Sequence, residues 1–326
     1  MRKILLLVSA AILLIAACNK SSRNDDVSPI PEEDGFTATE RKCGADEILQ
    51  EQLKTDAALR ERMDQIEAFT QRYIQNPDLQ KLVNGKIQIP VVVNVLYRTS
   101  AENISPAQIQ SQINVLNKDF SATNSDYNKT STYNSVKSGD IGIEFVLDQV
   151  ITKSTTKRSW QLNDAMKKIS QGGISPTSST TKLNIWVCNL TSGYLGYAQF
   201  PGGSSATDGV VIDNNAFGTT GSAKAPFDLG RTATHEVGHW MNLRHIWGDA
   251  TCGNDQVGDT PVHNTANYGC PAAGHRSTCS GTPIEMTMNY MDYTDDACMY
   301  MFSTGQKTRM LAVFASGGPR NSFAQP

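Results

Sequence analysis

The stretch HEVGHWMNLRH, residues 235–245, carries three of the chain's five histidines and one glutamate. His235 and His239 are four residues apart, so on a helix they stand one turn apart on the same face and can reach one metal ion. Glu236 follows the first histidine, where H-E-x-x-H sites place a carboxylate beside a metal-bound water. His245 lies six residues beyond His239 and would face elsewhere on a continuing helix. It joins the other two only if the helix stops and the chain turns back. Asn242 marks that place, because asparagine is, after glycine, among the residues that best tolerate the left-handed conformation that ends helices.

The pattern predicts three histidines on one ion with a fourth position open, the catalytic rather than the closed structural arrangement of zinc. Zinc lowers the pKa of a bound water to about 7. Glu236 is then expected to take the proton as that water attacks a carbonyl carbon, and to pass it to the leaving amine. The chemistry is hydrolysis of a peptide bond without a covalent intermediate. A bare H-E-x-x-H also occurs by chance in helices that bind nothing. A third histidine at this spacing makes coincidence far less common.

A chain of 326 residues suits one large domain, or one domain and a pro-segment. With 39% hydrophobic and 19% charged residues it can bury a sizeable core, and a net charge of −3 gives no reason to expect nucleic acid as a partner. ILLLVSAAILLIAAC, residues 4–18, is too short to span a membrane and follows Arg2 and Lys3. It reads as a secretory signal occupying residues 1–17. Ile15-Ala16-Ala17-Cys18 resembles the bacterial lipobox, with Cys18 the lipidated new N-terminus; the alternative is an ordinary signal that happens to contain a cysteine. Residues 19–35 are polar, with prolines and acids, and read as a tether. The expectation is an exported bacterial protein, held at the outer membrane or cell surface by lipid as a precursor, secreted after processing, and monomeric.

Seven cysteines sharpen this. Cys252, Cys270, Cys279 and Cys298 follow the histidine motif and can oxidise in an exported chain, in any of three pairings. Cys188, within the strand-like KLNIWVCNL, reads as a buried free thiol. Cys43 is left over.

Apolar residues recur at helical spacing over 45–75. IQIPVVVNVLY, 87–97, reads as a central strand, and IGIEFVLDQV (141–150), KLNIWVCNL (182–190) and GVVIDNNAFG (209–218) as further strands. Ser105-Pro106 opens a helix with Ile109, Ile113, Leu116 and Phe120 as its buried stripe. The histidine helix should end near Asn242. Residues 246–283 read as long loops, and 304–315 as a last helix. The fold class is therefore α+β: an upper subdomain of twisted mixed sheet with helices, an irregular disulfide-linked lower subdomain, and zinc in the cleft between.

Two features together carry a family resemblance. HEVGHWMNLRH is similar to the metzincin pattern H-E-x-x-H-x-x-G-x-x-H, with Asn242 in place of the glycine. MNYMDYTDDACMYMF, 288–302, resembles the methionine turn of that clan. With the four cysteines, the chain resembles the pappalysin family, in particular its small prokaryotic members, from about residue 85 onward and most densely between 228 and 305. The resemblance implies that Met291 is the turn methionine, an apolar floor beneath the imidazoles; the plainer reading is a core methionine, since five of the ten lie between 286 and 301. It implies that Tyr293 donates a hydrogen bond to the developing oxyanion. It implies the pairs Cys252–Cys279 and Cys270–Cys298. It also implies calcium, for which Asp255, Asp259, the Thr260 side chain and the Val257 carbonyl in CGNDQVGDTP offer hard oxygen ligands, although Asp and Gly there also make ordinary turns. Relatives that cut before Arg or Lys place a carboxylate after the methionine turn, which here points to Asp295 or Asp296.

Arg41-Lys42-Cys43-Gly44 resembles the cysteine switch of metzincin pro-segments. A thiolate from Cys43 would ligate zinc at roughly 2.3 Å in the latent form. Gly44 would let the backbone pass close, and Arg41 would pair with an acidic group in the cleft. Arg60 and Arg62, in ALRERM, mark Leu59–Arg60 and Glu61–Arg62 as activation bonds. The expected organisation is a signal peptide over 1–17, a lipidated tether and pro-segment over 18–59, and a catalytic domain over 60–326. The function expected is a zinc-dependent endopeptidase acting on protein or peptide substrates, with a preference for Arg or Lys at P1′, made as a latent precursor. The alternative is a lipoprotein binding module with a structural zinc site, against which Glu236 argues because such a site needs no base. A zinc hydrolase acting on a non-peptide amide is a third reading.

Overall fold

In the computed structural model, which describes residues 38–76 and 85–324, the β-branched run forms strand β1, Ile87–Tyr97. It is internal to a five-stranded sheet. On one side it pairs in parallel with β2, Ile143–Ser154, and on the other with β3, Leu183–Cys188. Parallel strands covered on both faces need apolar side chains on both, and Val91, Val92 and Val93 are all fully buried. Beyond β3, strand β5, Val210–Asp213, continues the parallel set. The last strand, β4, Gly196–Ala198, runs antiparallel to β5 and is the edge facing the site. The expected strand over 209–218 stops at Asp213, whose carboxylate accepts from Asn215 N (2.8 Å) and turns the chain out of the sheet.

Helix α3, Pro106–Phe120, starts as expected: Ser105 Oγ accepts from Gln108 N at 3.1 Å, and the stripe Ile109, Ile113, Leu116 and Phe120 is buried against the sheet. The helical stretch expected over 45–75 is two helices, α1, Ala45–Thr55, and α2, Leu59–Gln75. The break has a local cause. Asp56 is extended, and its carboxylate accepts from Ala58 N (3.1 Å), a local bond that competes with helix continuation. The histidine helix α4 spans Arg231–Trp240, and α5 spans Thr304–Ala312 behind a Ser303/Gln306 capping box. Helix α5 ends three residues before the expected 315, where the chain turns through Gly317 and Gly318.

Below the sheet, residues 246–303 form no α-helix or extended strand, and two disulfides tie them together, Cys252–Cys279 and Cys270–Cys298. Cys188 is free and buried. The stretches expected to be a signal peptide and a tether, with Cys18, lie outside the described residues. Among those described, no helix is long and apolar enough to cross a membrane.

Candidate active site

Helix α4 presents His235 and His239 on one face, and the chain then reverses. Asn242 adopts φ 72°, Asn242 N donates to His239 O (2.9 Å) and Leu243 N donates to Gly238 O (3.0 Å). This left-handed turn returns His245 to the other two imidazoles. His239 Nε2 lies 3.1 Å from both His235 Nε2 and His245 Nε2. The outward nitrogens are all engaged: His235 Nδ1 with Tyr290 O (2.6 Å), His239 Nδ1 with Leu243 O (2.8 Å), and His245 Nδ1 with the Asp249 carboxylate. Carbonyl and carboxylate oxygens only accept, so each Nδ1 carries the proton and each Nε2 offers a lone pair. Three lone pairs aimed at one point repel unless a cation sits between them. Burial also keeps two of the rings neutral, driving His235 well below the usual histidine range and His239 down to about 3. The fourth donor is Cys43 Sγ, and the four ligand atoms lie within 4.8 Å of one another, a donor set that fits tetrahedral zinc.

The surroundings fix these rings. Met291 is buried under α4, and a Cβ at Gly238 would stand 2.5 Å from its Sδ, so the glycine lets the helix seat on the thioether without displacing it. Met291 O accepts from Ile246 N (3.1 Å), which ties the turn to the segment after His245. Trp247 stacks on His245 with ring centroids 4.4 Å apart and planes 9° apart. Asp249 and Trp247 orient the third histidine, and sequence reasoning missed both. The available signal was an acidic residue four positions after His245.

Residues 42–44 lie along β4. Leu195 N donates to Lys42 O and Gly44 N to Gly196 O, both at 2.9 Å, and Cys43 bridges Gly196 in parallel. Cys43 Sγ donates to Glu236 Oε2 at 3.3 Å. Burial first, and then the charge of Glu236, push the Cys43 thiol well up. Burial raises Glu236 to about 8, against the lowering pull of Cys43 and Arg41. The Tyr293 hydroxyl donates to Cys43 O (3.2 Å) and accepts from Cys43 N (3.3 Å). The Glu236 carboxylate and the Tyr293 phenol are thus both occupied by Cys43.

Arg41, two residues before Cys43, is buried. Its Nη2 donates to Asp296 Oδ1 (2.6 Å), its Nη1 to Thr232 Oγ1 (3.0 Å) and its Nε to Thr294 O (3.2 Å), with Phe227 flanking the guanidinium. Asp296 Oδ2 is held by Leu229 N (2.8 Å) and Arg231 N (3.1 Å). Of the two aspartates singled out, Asp296 is buried against Arg41 and Asp295 is partly exposed. Arg60 and Arg62 lie in the first turn of α2; Arg60 is exposed, and Arg62 bonds to Asp56 and to Gly202 O (2.7 Å). In the loop suggested for calcium, Thr260 Oγ1 meets Asp255 Oδ2 (2.8 Å) and Val257 O (2.9 Å). The Asp259 carboxylate is drawn away to the start of α5, accepting from Ser303 Oγ (2.6 Å) and Gly305 N (2.8 Å).

A histidine triad closed by a left-handed turn, a glutamate on the same helix and a methionine beneath define a metzincin-type metallopeptidase. The chain belongs to the pappalysin family. Residues 178–315 match the family described as pregnancy-associated plasma protein-A, and residues 106–246 match reprolysin-like metallopeptidases. An extracellular metalloprotease of Verticillium alfalfae is 34% identical over 241 residues, 69% of this chain and 78% of that one. Mature mirolysin of Tannerella forsythia in complex with a cleaved peptide is 44% identical with TM-score 0.70, over 73% of this chain and 96% of that one. A mutant of promirolysin from the same organism is 40% identical with TM-score 0.78, over 87% of this chain and 97% of that one. The protein is a zinc metalloendopeptidase with peptide substrates.

Proposed function

We propose that the chain is an exported precursor whose pro-segment blocks the cleft with Cys43, and that the mature enzyme cuts before Arg or Lys. The observation that carries this is the Arg41–Asp296 pair beside Cys43: the pro-segment places a basic side chain on a buried carboxylate next to the metal site. His235, His239 and His245 would hold zinc, which when bound would supply Lewis-acid polarisation of the carbonyl and acidify a water. Glu236, freed from Cys43, would take a proton from the attacking water and hand it to the leaving nitrogen. Tyr293, freed likewise, donates to the oxygen on which charge develops. The edge of β4 that pairs with residues 42–44 becomes free to pair with substrate backbone.

Direction explains why the pro-segment is not itself cut at this position. Arg41 precedes Cys43, whereas a substrate residue in the same pocket follows the scissile bond. Substrate must therefore run opposite to the pro-segment, which lies parallel to β4.

Activation at Leu59–Arg60 or Glu61–Arg62 requires the first turn of α2 to unwind into the cleft of another molecule. We further propose that trimming then removes α2. The precursor relative covers 14% more of this chain than the mature one, about 46 of 326 residues, close to the stretch from Ala38 to the start of β1. Lipidation at Cys18 would make this cut also a release from the membrane. Asp255, Val257 O and Thr260 would bind calcium as a structural ion, with a monomer as the working unit. The test is purified precursor incubated with zinc and calcium, followed by N-terminal sequencing and cleavage-site mapping on a peptide library, with Glu236→Ala as control. A wild-type chain that neither matures nor cuts peptides overturns the proposal.

A further inference from the structure

Helix α2 packs against α5, and one ion pair anchors it there. Arg309 of α5 is buried; its Nη1 and Nη2 donate to Glu67 Oε1 (3.0 Å) and Oε2 (2.5 Å), a fork-to-fork pair. Its Nε donates to Asn242 O (2.8 Å), the carbonyl of the turn that returns His245. Burial raises the Glu67 carboxyl, yet Arg309, Gln71 and Arg244 outweigh it and hold it below the ordinary glutamate range. Two cations of the catalytic part therefore face this single carboxylate. Among the described residues, the two Nη groups of Arg309 bond to Glu67 alone.

The pair borders a cavity of about 360 Å³ between the pro-segment helices and the catalytic part. The catalytic wall of that cavity includes Phe200, Asn242, Arg244, Asp249 and Arg309. It begins at the metal site: Phe200 packs against His239 with centroids 5.3 Å apart, and Asp249 holds His245. The pro-segment runs from Arg41 on Asp296, over Cys43, and into α1 and α2. The cavity beneath those helices thus lies on the far side of the metal site from Asp296. For a substrate with its basic residue on Asp296, that is the side of the residues preceding the scissile bond.

We propose that Arg309, with Arg244, forms a subsite for an acidic substrate side chain on this non-primed side, and that Glu67 fills it in the precursor. The inference rests on the proposed loss of α2 on maturation. Once α2 leaves, the Arg309 guanidinium keeps its bond to Asn242 O but faces an open groove with its fork free. A bidentate carboxylate from substrate satisfies it as Glu67 did, and Arg244 adds attraction. The substrate class is peptides with Glu or Asp upstream of the cleaved bond.

The experiment maps cleavage sites of the matured enzyme in a proteome-derived peptide library, reading the two sides of the bond separately. It then compares kcat/KM for peptides carrying Glu, Gln or Lys at each of the four positions before the cleaved bond. Glu is expected to exceed Lys about tenfold or more at one position, with Gln between. In Arg309→Gln and in Arg244→Gln that ratio should fall toward unity, and because each ratio is taken within one variant, loss of folded enzyme cancels. Ratios within about twofold at every position in wild type overturn the subsite, as does a wild-type ratio retained in both variants. Sequencing that finds α2 still attached to the active enzyme also overturns it. Absence of enrichment for Arg or Lys after the bond strikes the reading of Asp296 instead, so the two failures are told apart.

Discussion

Arg41 Nη2 stands 2.6 Å from Asp296 Oδ1, and neither side chain is more than 1% exposed. Breaking such a pair by removing one partner leaves a buried charge uncompensated, at about 3–5 kcal/mol. Arg41→Ala should therefore loosen the pro-segment while leaving Cys43 in place. The expected result is a precursor that matures several-fold faster in a gel time course. Maturation at the wild-type rate would mean that Arg41 adds nothing to latency.

The same carboxylate sets the second prediction. Asp296→Asn keeps the acceptor for Leu229 N and Arg231 N but removes the charge. Preference for Arg over Leu after the cleaved bond should drop at least about tenfold, since a charge-assisted bond becomes a neutral one. Paired peptides differing at that one residue measure it, and an undiminished ratio sinks the assignment.

Glu236→Ala should bind zinc as wild type does, because the ligand set is His235, His239, His245 and, in the precursor, Cys43. Loss of a general base costs about 100-fold or more in rate. Metal analysis beside a fluorogenic assay separates the two effects. A variant lacking zinc, or one fully active, contradicts the role.

Much of this was legible because periodicity and spacing survive folding wherever one ion or one core dictates them. The triad, its turn at Asn242 and the strands β1, β2 and β3 follow from local pattern. Strand β4 does not: three residues with Gly196 at the start carry no alternation, and their place is set by pairing with Val210–Ile212. The helix break at Asp56 hid in an otherwise continuous apolar stripe, because one side-chain hydrogen bond decided it. Asp249, Trp247 and Arg309 were illegible for a different reason. Arg309 reaches Glu67 from an element distant in sequence, where no spacing rule applies, and Trp247 and Asp249 support His245 across an irregular turn, where only the i,i+4 spacing of Asp249 left a faint signal. Asp259, offered as a cation ligand through the family resemblance, accepts from Ser303 Oγ and Gly305 N at the start of α5.

Asp249→Asn tests the support of the third ligand. Asp249 accepts from His245 Nδ1, and loss of such a carboxylate partner lowers metal affinity about 10- to 100-fold. Competition with a zinc chelator, monitored on matured enzyme, should show that shift while the melting temperature at saturating zinc changes little. Equal zinc retention in both proteins removes Asp249 from the site's support.

Calcium removal gives a test of a different kind. If Asp255, Val257 O and Thr260 hold the ion, a calcium chelator that spares zinc should lower the melting temperature by several degrees, because an ion that binds only the folded chain stabilises it by mass action. Asp255→Asn should abolish the difference. A melting curve indifferent to calcium in the wild type leaves these residues as an ordinary turn.

The switch itself is tested last. Cys43 supplies the fourth donor of the metal site and at the same time occupies Glu236 and the Tyr293 hydroxyl. Alanine there removes the thiol but leaves Arg41 on Asp296 and Glu67 on Arg309, so the pro-segment still docks. Processing must be blocked to read the switch alone, which Arg60→Ala with Arg62→Ala is expected to do at the first bond. Arg62 also bonds to Asp56 and Gly202 O, so melting of each blocked precursor is measured as a control for docking. In that background the Cys43→Ala precursor should cut a small fluorogenic peptide at least about tenfold faster than its Cys43 counterpart, because the fourth position is open to water. The intact length of both chains is checked by mass spectrometry at the end of the assay. Equal rates for two intact precursors would rule out Cys43 as the residue that keeps the enzyme latent.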